Sequence, residues 1–444
     1  MAGDLKGVVL RPGAALYPTA VRTFDPRRDG ATPLAVVQVA ADSDVVRTLA
    51  FAQHFGLAIR PRSGGHSYVG ASTGNGVVVL DTGPLRSVRL NGAGSQVRVG
   101  AGARLGRIHA VLDTKGRTIP TGTCPTVGAA GLILGGGIGA ESRLYGLATD
   151  AVVGMRVVTP DGRVRTVSAT SEPDLFWALR GSGGGNFGIV TQLVLRTFRS
   201  RPAEFFFLRW SPAHAADVLR GWQERLAQMP RSSWANVHLD TGQGTVVPRI
   251  VGVAWGASGR AEANALIRAV GVQPVAQLYA SRSHSRATQL LAGPAGARRQ
   301  SWVAGSDIIS APLSGATARA VVAVVRSRGA GRRSGTAILD PLDGAVWDGS
   351  TKESSFPWRH AVASLQWYVG LPSRPSRAVV SSGQDFIHRG HLALGAASAG
   401  GYVNYLEAGR PLRQYYGTSW SRLVRVNRTY DPDGFFSSSF SLPS

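Results

Sequence analysis

Three glycine-rich tracts in the first 200 residues constrain this chain more than any other feature. They read RPRSGGHSY at 60–68, GTCPTVGAAGLILGGGIG at 122–139 and GSGGGNFGIVTQ at 181–192. Glycine makes up 57 of 444 residues, about 13%, against an average near 7%. Because a residue without Cβ lets backbone amides approach a ligand closely, the tracts predict loops that lie directly on a bound group.

The overall composition is that of a soluble globular protein. Hydrophobic residues make up 43% of the chain and charged residues 17%, and the length suggests two to four domains or one composite fold. Aliphatic stretches such as 321–325 are far shorter than the roughly 18 residues of a membrane span. Residues 1–10 lack the pattern of a signal peptide, so we expect a cytoplasmic protein that does not contact the membrane.

The formal net charge of +23 invites a nucleic-acid interpretation. Of the 49 basic residues 46 are arginine, but they are scattered, and none of the common nucleic-acid motifs is present. We therefore expect no nucleic-acid partner and keep an arginine-rich binder only as an alternative. A single cysteine, Cys124, excludes an internal disulfide and a cysteine-cluster metal site, and we expect no metal.

The pattern of elements changes near residue 200. Before it, short strands alternate with helices, for example a strand over 33–40 and a helix over 42–55 capped by Asp42 or Ser43. Hairpins are predicted at 88–99 and 152–167. After it come longer helices, such as 212–229 with Ser211 as cap, between β-like segments. We predict domains at 1–200, 201–394 and 395–444.

Several motifs that suggest other functions lie in the wrong context. The third tract contains G-x-G-x-x-G at Gly183, Gly185 and Gly188, but a helix precedes it and a strand follows, which disfavours a dinucleotide fold. GASTG at 70–74 precedes a strand where a nucleophile elbow needs a helix. His388 and His391 have no carboxylate at metal-ligand spacing and are expected on a helix surface.

His66 and Cys124 are the chemically notable members of the first two tracts. His66 ends a run of backbone donors that suits a phosphate, although a loop histidine is by itself unremarkable. Cys124 is either a small buried hydrophobe or a thiol that reacts with a bound molecule. The residues alone leave both alternatives open.

Taken in order, these loops resemble the flavin domain of the berberine bridge enzyme-like family, which are FAD-linked oxidoreductases of the vanillyl-alcohol oxidase / p-cresol methylhydroxylase superfamily. A serine-glycine-glycine-histidine loop follows a strand, a cysteine-glycine loop comes nearly 60 residues later, and a glycine-asparagine-phenylalanine-glycine turn leads into a strand. The resemblance implies bicovalent FAD, with His66 bonded to the 8α-methyl of the isoalloxazine ring and Cys124 to carbon C6. It also implies that two tethers raise the ring's tendency to accept hydride.

The same resemblance implies which residues line the cofactor. They are Arg62, Ser63, Gly64, Gly65, Ser67, Thr123, Val127, Gly128, Gly131, Gly135, Gly136, Gly137, Gly139, Gly185, Asn186, Gly188, Ile189, Val190, Tyr402 and Asn404, together with His66 and Cys124. Val127 lies where the family controls oxygen access to the flavin, and a side chain smaller than leucine is compatible with an oxidase.

The C-terminal half resembles the family's substrate side. FPWRHAVASLQWY at 356–368 resembles the strand whose glutamine, here Gln366, projects over the flavin. GGYVNYLE at 400–407 carries the tyrosine-x-asparagine-tyrosine motif, and YDPDGFF at 430–436 resembles the family's usual ending. By this resemblance Tyr405, or as second choice Tyr402, takes the substrate proton while hydride leaves the same carbon, and Gln366 orients the hydroxyl.

Two positions depart from the family pattern. Many relatives have a tyrosine where this chain has Ile138 and a histidine where it has Leu132, so a polar substrate contact is missing.

We expect an α+β fold, with a PCMH-type FAD-binding domain in two α+β subdomains and an inserted substrate domain of antiparallel sheet backed by helices. The expected function is oxidation of an alcohol or hemiacetal of a small secondary metabolite, with O2 as acceptor and H2O2 as product.

Two alternatives to this function remain at this stage. The first is a carbohydrate (oligosaccharide) oxidase, and the second is a flavin-binding protein with altered chemistry. A monomer or a homodimer is expected.

Overall fold

The computed structural model describes residues 5–242, 244–293, 298–436 and 438–443. Two predictions fall partly outside the described residues. The first is the absence of a leader pattern, which concerns residues 1–4 among others, and the second is the last domain, which includes residues 437 and 444. In the described part of the chain, no helix is long and apolar enough to cross a membrane.

The chain begins with a small mixed sheet. Its elements are β1 (Val8–Leu10), α1 (Tyr17–Ala20), β2 (Ala35–Gln38), α2 (Asp42–His54), β3 (Ile59–Arg62) and β4 (Val78–Asp81), with strand order β1-β2-β4-β3. β2, β4 and β3 run parallel, and β1 pairs antiparallel at the edge. α2 buries Val45, Leu49 and Ala52 against this sheet. The first glycine tract begins in β3 and continues into the loop that follows it.

The start of α2 corrects one prediction. Neither Asp42 nor Ser43 caps the helix, since the N-cap residue is Ala41 and makes no side-chain hydrogen bond. Instead the buried Asp44 carboxylate accepts from the backbone amides of Lys6, Gly7 and Ala40 at 2.8–3.0 Å. The Asp44 side chain therefore ties the start of α2 to the segment before β1 and to Ala40, and it does not cap the helix.

A second, antiparallel sheet follows. Its region contains β5 (Val88–Leu90), β6 (Gln96–Gly100), α3 (Leu105–Asp113), β7 (Arg117–Thr118), α4 (Ala129–Leu134), α5 (Ser142–Tyr145), β8 (Val152–Val158), β9 (Val164–Val167), α6 (Pro173–Ala178), β10 (Ile189–Arg196) and β11 (Phe198–Arg199). The strand order is β5-β6-β10-β8-β9, with β11 on β7. Both predicted hairpins are confirmed, as β5–β6 and β8–β9.

A large antiparallel sheet spans the middle of the chain. The elements are β12 (Ala203–Arg209), α7 (Ala215–Leu226), β13 (Ser233–Gly242), β14 (Thr245–Trp255), α8 (Gly259–Val270), β15 (Ala276–Arg282), α9 (His284–Ala292), β16 (Ser301–Ile309), α10 (Gly315–Ala330), β17 (Thr336–Pro341), β18 (Ala363–Leu371) and α11 (Arg377–Leu394). The strand order is β15-β12-β14-β13-β17-β18-β16. The predicted helix 212–229 is a 3₁₀ turn at Pro212–His214 followed by α7, which ends at Leu226, and Ser211 precedes the turn without the predicted side-chain capping hydrogen bond.

Four helices cover one face of this sheet. Trp222 of α7, Leu266 of α8, Val321 of α10 and Phe386 of α11 are buried in one core with the strands beneath them. The opposite face is left for the glycine tracts, and it carries the site described below.

The last helices of the chain pack in the core of the second sheet. α12 (Arg413–Tyr416) and α13 (Trp420–Tyr430) bury Tyr415, Tyr416, Leu423 and Val426 in the core formed by β6, β8 and β10. The observed architecture confirms the predicted α+β class, whereas the domain bounds at 200 and 394 stay a prediction.

Buried ion pairs fix the first part of the chain to the middle sheet. Arg143 on α5 donates to Asp343 at 2.6 and 3.0 Å and to the carbonyls of Met229, Pro230 and Ser233. Arg359 donates from both terminal nitrogens to Asp150 at 2.6 and 2.8 Å. Because a buried charge is costly unless paired, these contacts hold the two parts in one arrangement.

Candidate active site

A cavity of about 890 Å³ lies between the glycine tracts and the uncovered face of the middle sheet. The predicted site residues that line it are Arg62, Ser63, Gly64, Gly65, His66, Ser67, Thr123, Cys124, Val127, Gly128, Gly131, Gly139, Gly185, Asn186, Gly188, Ile189, Val190, Gln366, Asn404 and Tyr405. Loops that are far apart in the sequence therefore converge on one space.

The first two tracts touch each other through glycine. A Cβ on Gly64 would collide with the backbone nitrogen of Gly128, and a Cβ on Gly128 would collide with Gly64 and with the Ser63 hydroxyl. The Ser63 hydroxyl donates to the carbonyl of Ala101 at 2.7 Å, which fixes the first loop on the second sheet. These glycines serve the approach of two loops as well as access to a ligand.

His66 stands at the tip of the first loop. Its ring stacks on Phe24 with centroids 3.9 Å apart, and its Nε2 is buried without a hydrogen-bond partner among the described residues. Burial and the nearby Arg104 charge lower the pKa of His66 to about 4, against a hydrogen bond to the backbone of Thr126 that raises it. At neutral pH the imidazole is therefore uncharged.

Cys124 lines the same cavity as His66. Its Sγ is 3.5 Å from the Thr126 hydroxyl, and the backbone of Thr126 also bonds the His66 ring. The cysteine and histidine loops are thus joined through one residue. The unpartnered His66 nitrogen, the thiol and the exposed backbone of the glycine loops fit the isoalloxazine and phosphate groups of FAD.

Several predicted cofactor residues have side chains that hydrogen-bond within the protein. Arg62 donates to Asp81 at 3.0 Å and to the Ala20 carbonyl at 2.6 Å. Ser67 accepts from the amide of Ala71. The Asn186 amide group is used by Ser182 and Leu442. These bonds shape the loops around the cavity.

Gln366 and Tyr405 both line the cavity and are linked through Tyr68. Gln366 on β18 donates from Nε2 to the Tyr68 hydroxyl at 2.7 Å, and the Tyr68 ring stacks on Tyr405 with centroids 4.9 Å apart. Burial raises the pKa of Tyr405 well above 10, with Tyr68, Asp340, Tyr402 and Cys124 adding to the rise. Tyr405 is therefore a neutral phenol before substrate arrives.

Tyr402 has a different environment. It is buried, it does not line the cavity among the described residues, and its hydroxyl oxygen lies 2.9 Å from the amide of Gly137, 3.3 Å from that of Ile138 and 2.7 Å from Asn404 Nδ2. The expectation that Tyr402 contacts cofactor or acts as base is thus not supported by the geometry. Its hydroxyl is occupied by the second glycine tract.

The central glycines of that tract also lie outside the cavity lining. Gly135 packs on Asn404, Gly136 on Phe356 and Gly137 on Ala148, so close that a Cβ on Gly135 or Gly137 would clash. The predicted contact of Gly135, Gly136 and Gly137 with the cofactor therefore stays a prediction, since the protein fills the side of each residue where a Cβ would stand.

The two residues that depart from the family pattern make part of the cavity wall apolar. Ile138 and Leu132 both line it. Ile138 packs with Leu147, Phe356 and Tyr402, and Leu132 accepts a hydrogen bond from Asn404 through its carbonyl. Their side chains offer no hydrogen bond to a substrate.

Asp340 and Tyr68 also line the cavity, although neither was among the residues predicted for the site. Asp340 on β17 lines the cavity and accepts from Asn236 Nδ2 at 3.0 Å. Burial raises the pKa of Asp340 to about 6, with the Asn236 bond opposing the rise. A lone aspartate in a strand carries no motif, whereas Tyr68, two residues after His66, could have been found from the tract itself.

A row of side chains, which is polar except for Ile338, crosses the sheet beside Gln366 and is called the polar row below. In register, Gln366 pairs with Ile338, Ile338 with His238, and His238 with Arg249. Arg249 donates to Asp240 at 2.5 Å and to His238 Nδ1 at 2.8 Å. Burial and Arg249 lower the pKa of His238 to about 3, so His238 is neutral and presents an Nε2–H donor.

His391 corrects another prediction. His388 is exposed on α11, as expected, but His391 is half-buried and has carboxylate partners on both ring nitrogens. Those partners, Asp307 and Glu407, come from β16 and from the segment after Tyr405. Spacing along the chain could not show them, because they are supplied by other elements.

Comparison with known proteins agrees with this site. A model described as FAD binding domain matches residues 33–168, and one described as berberine and berberine like matches residues 401–443. The uncharacterized FAD-linked oxidoreductase YgaK of Bacillus subtilis is 28% identical over 415 residues, 90% of this chain and 89% of that protein.

Solved structures extend the likeness to the whole chain. BBE-like 1 from Physcomitrella patens has a TM-score of 0.89 and 26% identity, covering 100% of this chain and 98% of that one. The carbohydrate oxidase of Microdochium nivale, in complex with a substrate analogue, has a TM-score of 0.87 and 25% identity over 99% and 97%.

The fold and the site together define an FAD-linked oxidoreductase. Two family models match parts of the chain, and a solved structure of a berberine bridge enzyme-like protein resembles it over its whole length, so the chain is similar to the berberine bridge enzyme-like family.

Proposed function

We propose that this protein is an oxidase that removes hydride and a proton from an alcohol or hemiacetal carbon of a small secondary metabolite. The observation that carries the proposal is that Tyr405 and Gln366 line the same cavity as His66 and Cys124. When bound, FAD supplies the hydride acceptor and passes the electrons to O2, which is released as H2O2.

We further propose that His66 and Cys124 hold the cofactor covalently. An imidazole nitrogen of His66 would bond the 8α-methyl and the thiol sulfur of Cys124 would bond C6. Each bond replaces one hydrogen of the ring and one of the side chain, and O2 accepts that pair of hydrogens. A neutral His66, which burial favours, has the lone pair that such a bond requires.

Tyr405 is the proposed acceptor of the substrate proton. Because burial keeps it protonated, its proton must move on as the substrate's arrives, and the Asp340 carboxylate, which interacts electrostatically with Tyr405, is the proposed second acceptor. Gln366 is held by Tyr68, so its amide oxygen is free to take the substrate hydroxyl into position.

An oligosaccharide is the second candidate substrate, and the polar row favours it. His238 and Arg249 present N–H groups to the cavity beyond Gln366, as a chain of hydroxyls would need. The aromatic side chains Phe207, Trp234 and Trp302 line the cavity as well and suit the face of a flat or cyclic substrate of either class.

A substrate panel tests the function. The holoenzyme is mixed without oxygen with aromatic and aliphatic alcohols and with oligosaccharides, and bleaching of the flavin absorbance is followed, then H2O2 after air is admitted. We expect bleaching by one of these classes and one H2O2 per alcohol oxidised. A yellow protein that no member bleaches would support altered flavin chemistry instead.

A further inference from the structure

His391 lies in a charged cluster behind the candidate active site. Its Nδ1 is 2.7 Å from Asp307 Oδ2 and its Nε2 is 2.9 Å from Glu407 Oε2. Arg410 contacts both carboxylates, at 3.5 Å from Asp307 Oδ1 and 3.1 Å from Glu407 Oε1. Two carboxylates are balanced by two cations only when His391 is protonated.

Hydrogen bonds connect this cluster to the segment that carries Tyr405. Glu407, two residues after Tyr405, accepts at Oε1 from the amide of Ser306 at 3.1 Å. At the other end of the segment, the amide of Tyr402 donates to the Ser306 hydroxyl at 2.9 Å. Residues 402–407 are thus pinned at both ends to one fully buried serine.

Ser306 connects this segment to Gln366. Ser306 on β16 is the register partner of Gln366 on β18, and the neighbouring residues Asp307 and Trp367 are joined by a hydrogen bond of 2.8 Å. Gly305 allows the Glu407 carboxyl to lie against β16, where a Cβ would overlap it. The spacing between Tyr405 and Gln366 therefore depends on where Glu407 is held.

We infer that His391 is a positioning residue for the oxidation, which acts through Glu407 and Asp307 to hold Tyr405 at its working distance from Gln366. The inference rests on the proposed role of Tyr405. His391 touches neither the cofactor loops nor the cavity that holds Tyr405 and Gln366 among the described residues. It lies instead in a second cavity, of about 1010 Å³, which shares Tyr68 and Leu406 with the first.

The positioning has a pH dependence with a definite sign. The hydrogen bonds and charges of Asp307 and Glu407 outweigh burial and raise the pKa of His391 to about 9. Other charged groups that line this second cavity are Arg27, Arg28, His388 and Arg410. Below pH 9 protonated His391 donates to both Asp307 and Glu407. One of these hydrogen bonds is lost as the pH rises through that value, because neutral His391 can donate to only one of the carboxylates.

His391→Gln and His391→Lys, with His388→Gln as the control on the same helix, test the inference. We expect His391→Gln to slow anaerobic flavin reduction at pH 7 by roughly 10- to 100-fold, with the substrate Kd nearly unchanged. The wild-type rate should fall with an apparent pKa near 9. That alkaline decline should be absent from His391→Gln and move to higher pH in His391→Lys, while His388→Gln behaves as wild type.

A second readout uses no substrate. The flavin absorption band of the holoenzyme is titrated from pH 7 to 10, and we expect a shift near pH 9 that His391→Gln lacks. If the band shifts as expected while no alcohol is oxidised, the positioning stands and the proposed function fails. Lower thermal stability with an unchanged reduction rate, or an alkaline decline that persists in His391→Gln, would overturn the inference.

Discussion

Gln366 donates a hydrogen bond from its side-chain nitrogen to the hydroxyl of Tyr68 at 2.7 Å. The two residues are almost 300 positions apart, one on β18 of the middle sheet and the other in the loop that carries His66. This bond connects the predicted substrate side to the predicted cofactor side. It also leaves the amide oxygen of Gln366 for the proposed contact with the substrate hydroxyl.

A double-mutant cycle should detect this coupling. Tyr68→Phe leaves the Gln366 amide without its acceptor, and Gln366→Leu removes the amide altogether. We expect each change to lower kcat/KM, and the pair to lower it by less than the product of the two effects, with a coupling of about 1 kcal/mol. Multiplicative effects would mean that the bond does not serve the reaction.

Substitution of Tyr405 should affect the reaction, whereas substitution of Tyr402 should affect the stability of the fold. Tyr405→Phe should slow flavin reduction by roughly 10²- to 10⁴-fold with little change in substrate Kd, because only the proton acceptor is removed. Tyr402→Phe should mainly lower the free energy of unfolding, by about 1–3 kcal/mol, since Gly137 and Asn404 lose a buried acceptor. Stopped-flow reduction and denaturant unfolding of both variants check this, and the opposite pattern would exchange the two roles.

Asp340 should give the reaction an acidic limb. Its pKa is raised to about 6 by burial, and it can take a proton only when ionised, so the reduction rate should fall as the pH drops through 6. In Asp340→Asn the rate should be lower at pH 8 and no longer show that decline. The rate of flavin reduction between pH 4.5 and 8 measures both effects. If the rate of Asp340→Asn still falls as the pH drops through 6, the decline belongs to another group.

The Arg143–Asp343 pair should dominate the attachment of α5 to the middle sheet. Asp343→Ala leaves the buried Arg143 guanidinium without its carboxylate and should destabilise the fold by about 3–5 kcal/mol. Asp348→Ala breaks the exposed pair with Arg231 and should cost less than about 1 kcal/mol. Urea denaturation compares the two, and equal losses would contradict the burial argument.

What the sequence could predict is local. The hairpins at β5–β6 and β8–β9 follow from turn residues between alternating strands, and the cavity-lining loops follow from glycine where the backbone must come close. His66, Cys124 and Gln366 could be found because each stands in a recognisable segment.

The remaining features depend on distant partners. Asp340 faces the cavity only because β17 lies between β13 and β18. His391 finds its carboxylates on two elements that no spacing along α11 reveals. Gly135, Gly136 and Gly137 look like cofactor contacts in the sequence, yet they pack against Asn404, Phe356 and Ala148.

The most direct measurement is peptide mapping by mass spectrometry of the denatured, digested holoenzyme. The account predicts one flavin-linked species that joins the His66 and Cys124 peptides, and single attachments in His66→Ala and Cys124→Ala. A yellow protein whose flavin is released on denaturation, with both peptides unmodified, would contradict it.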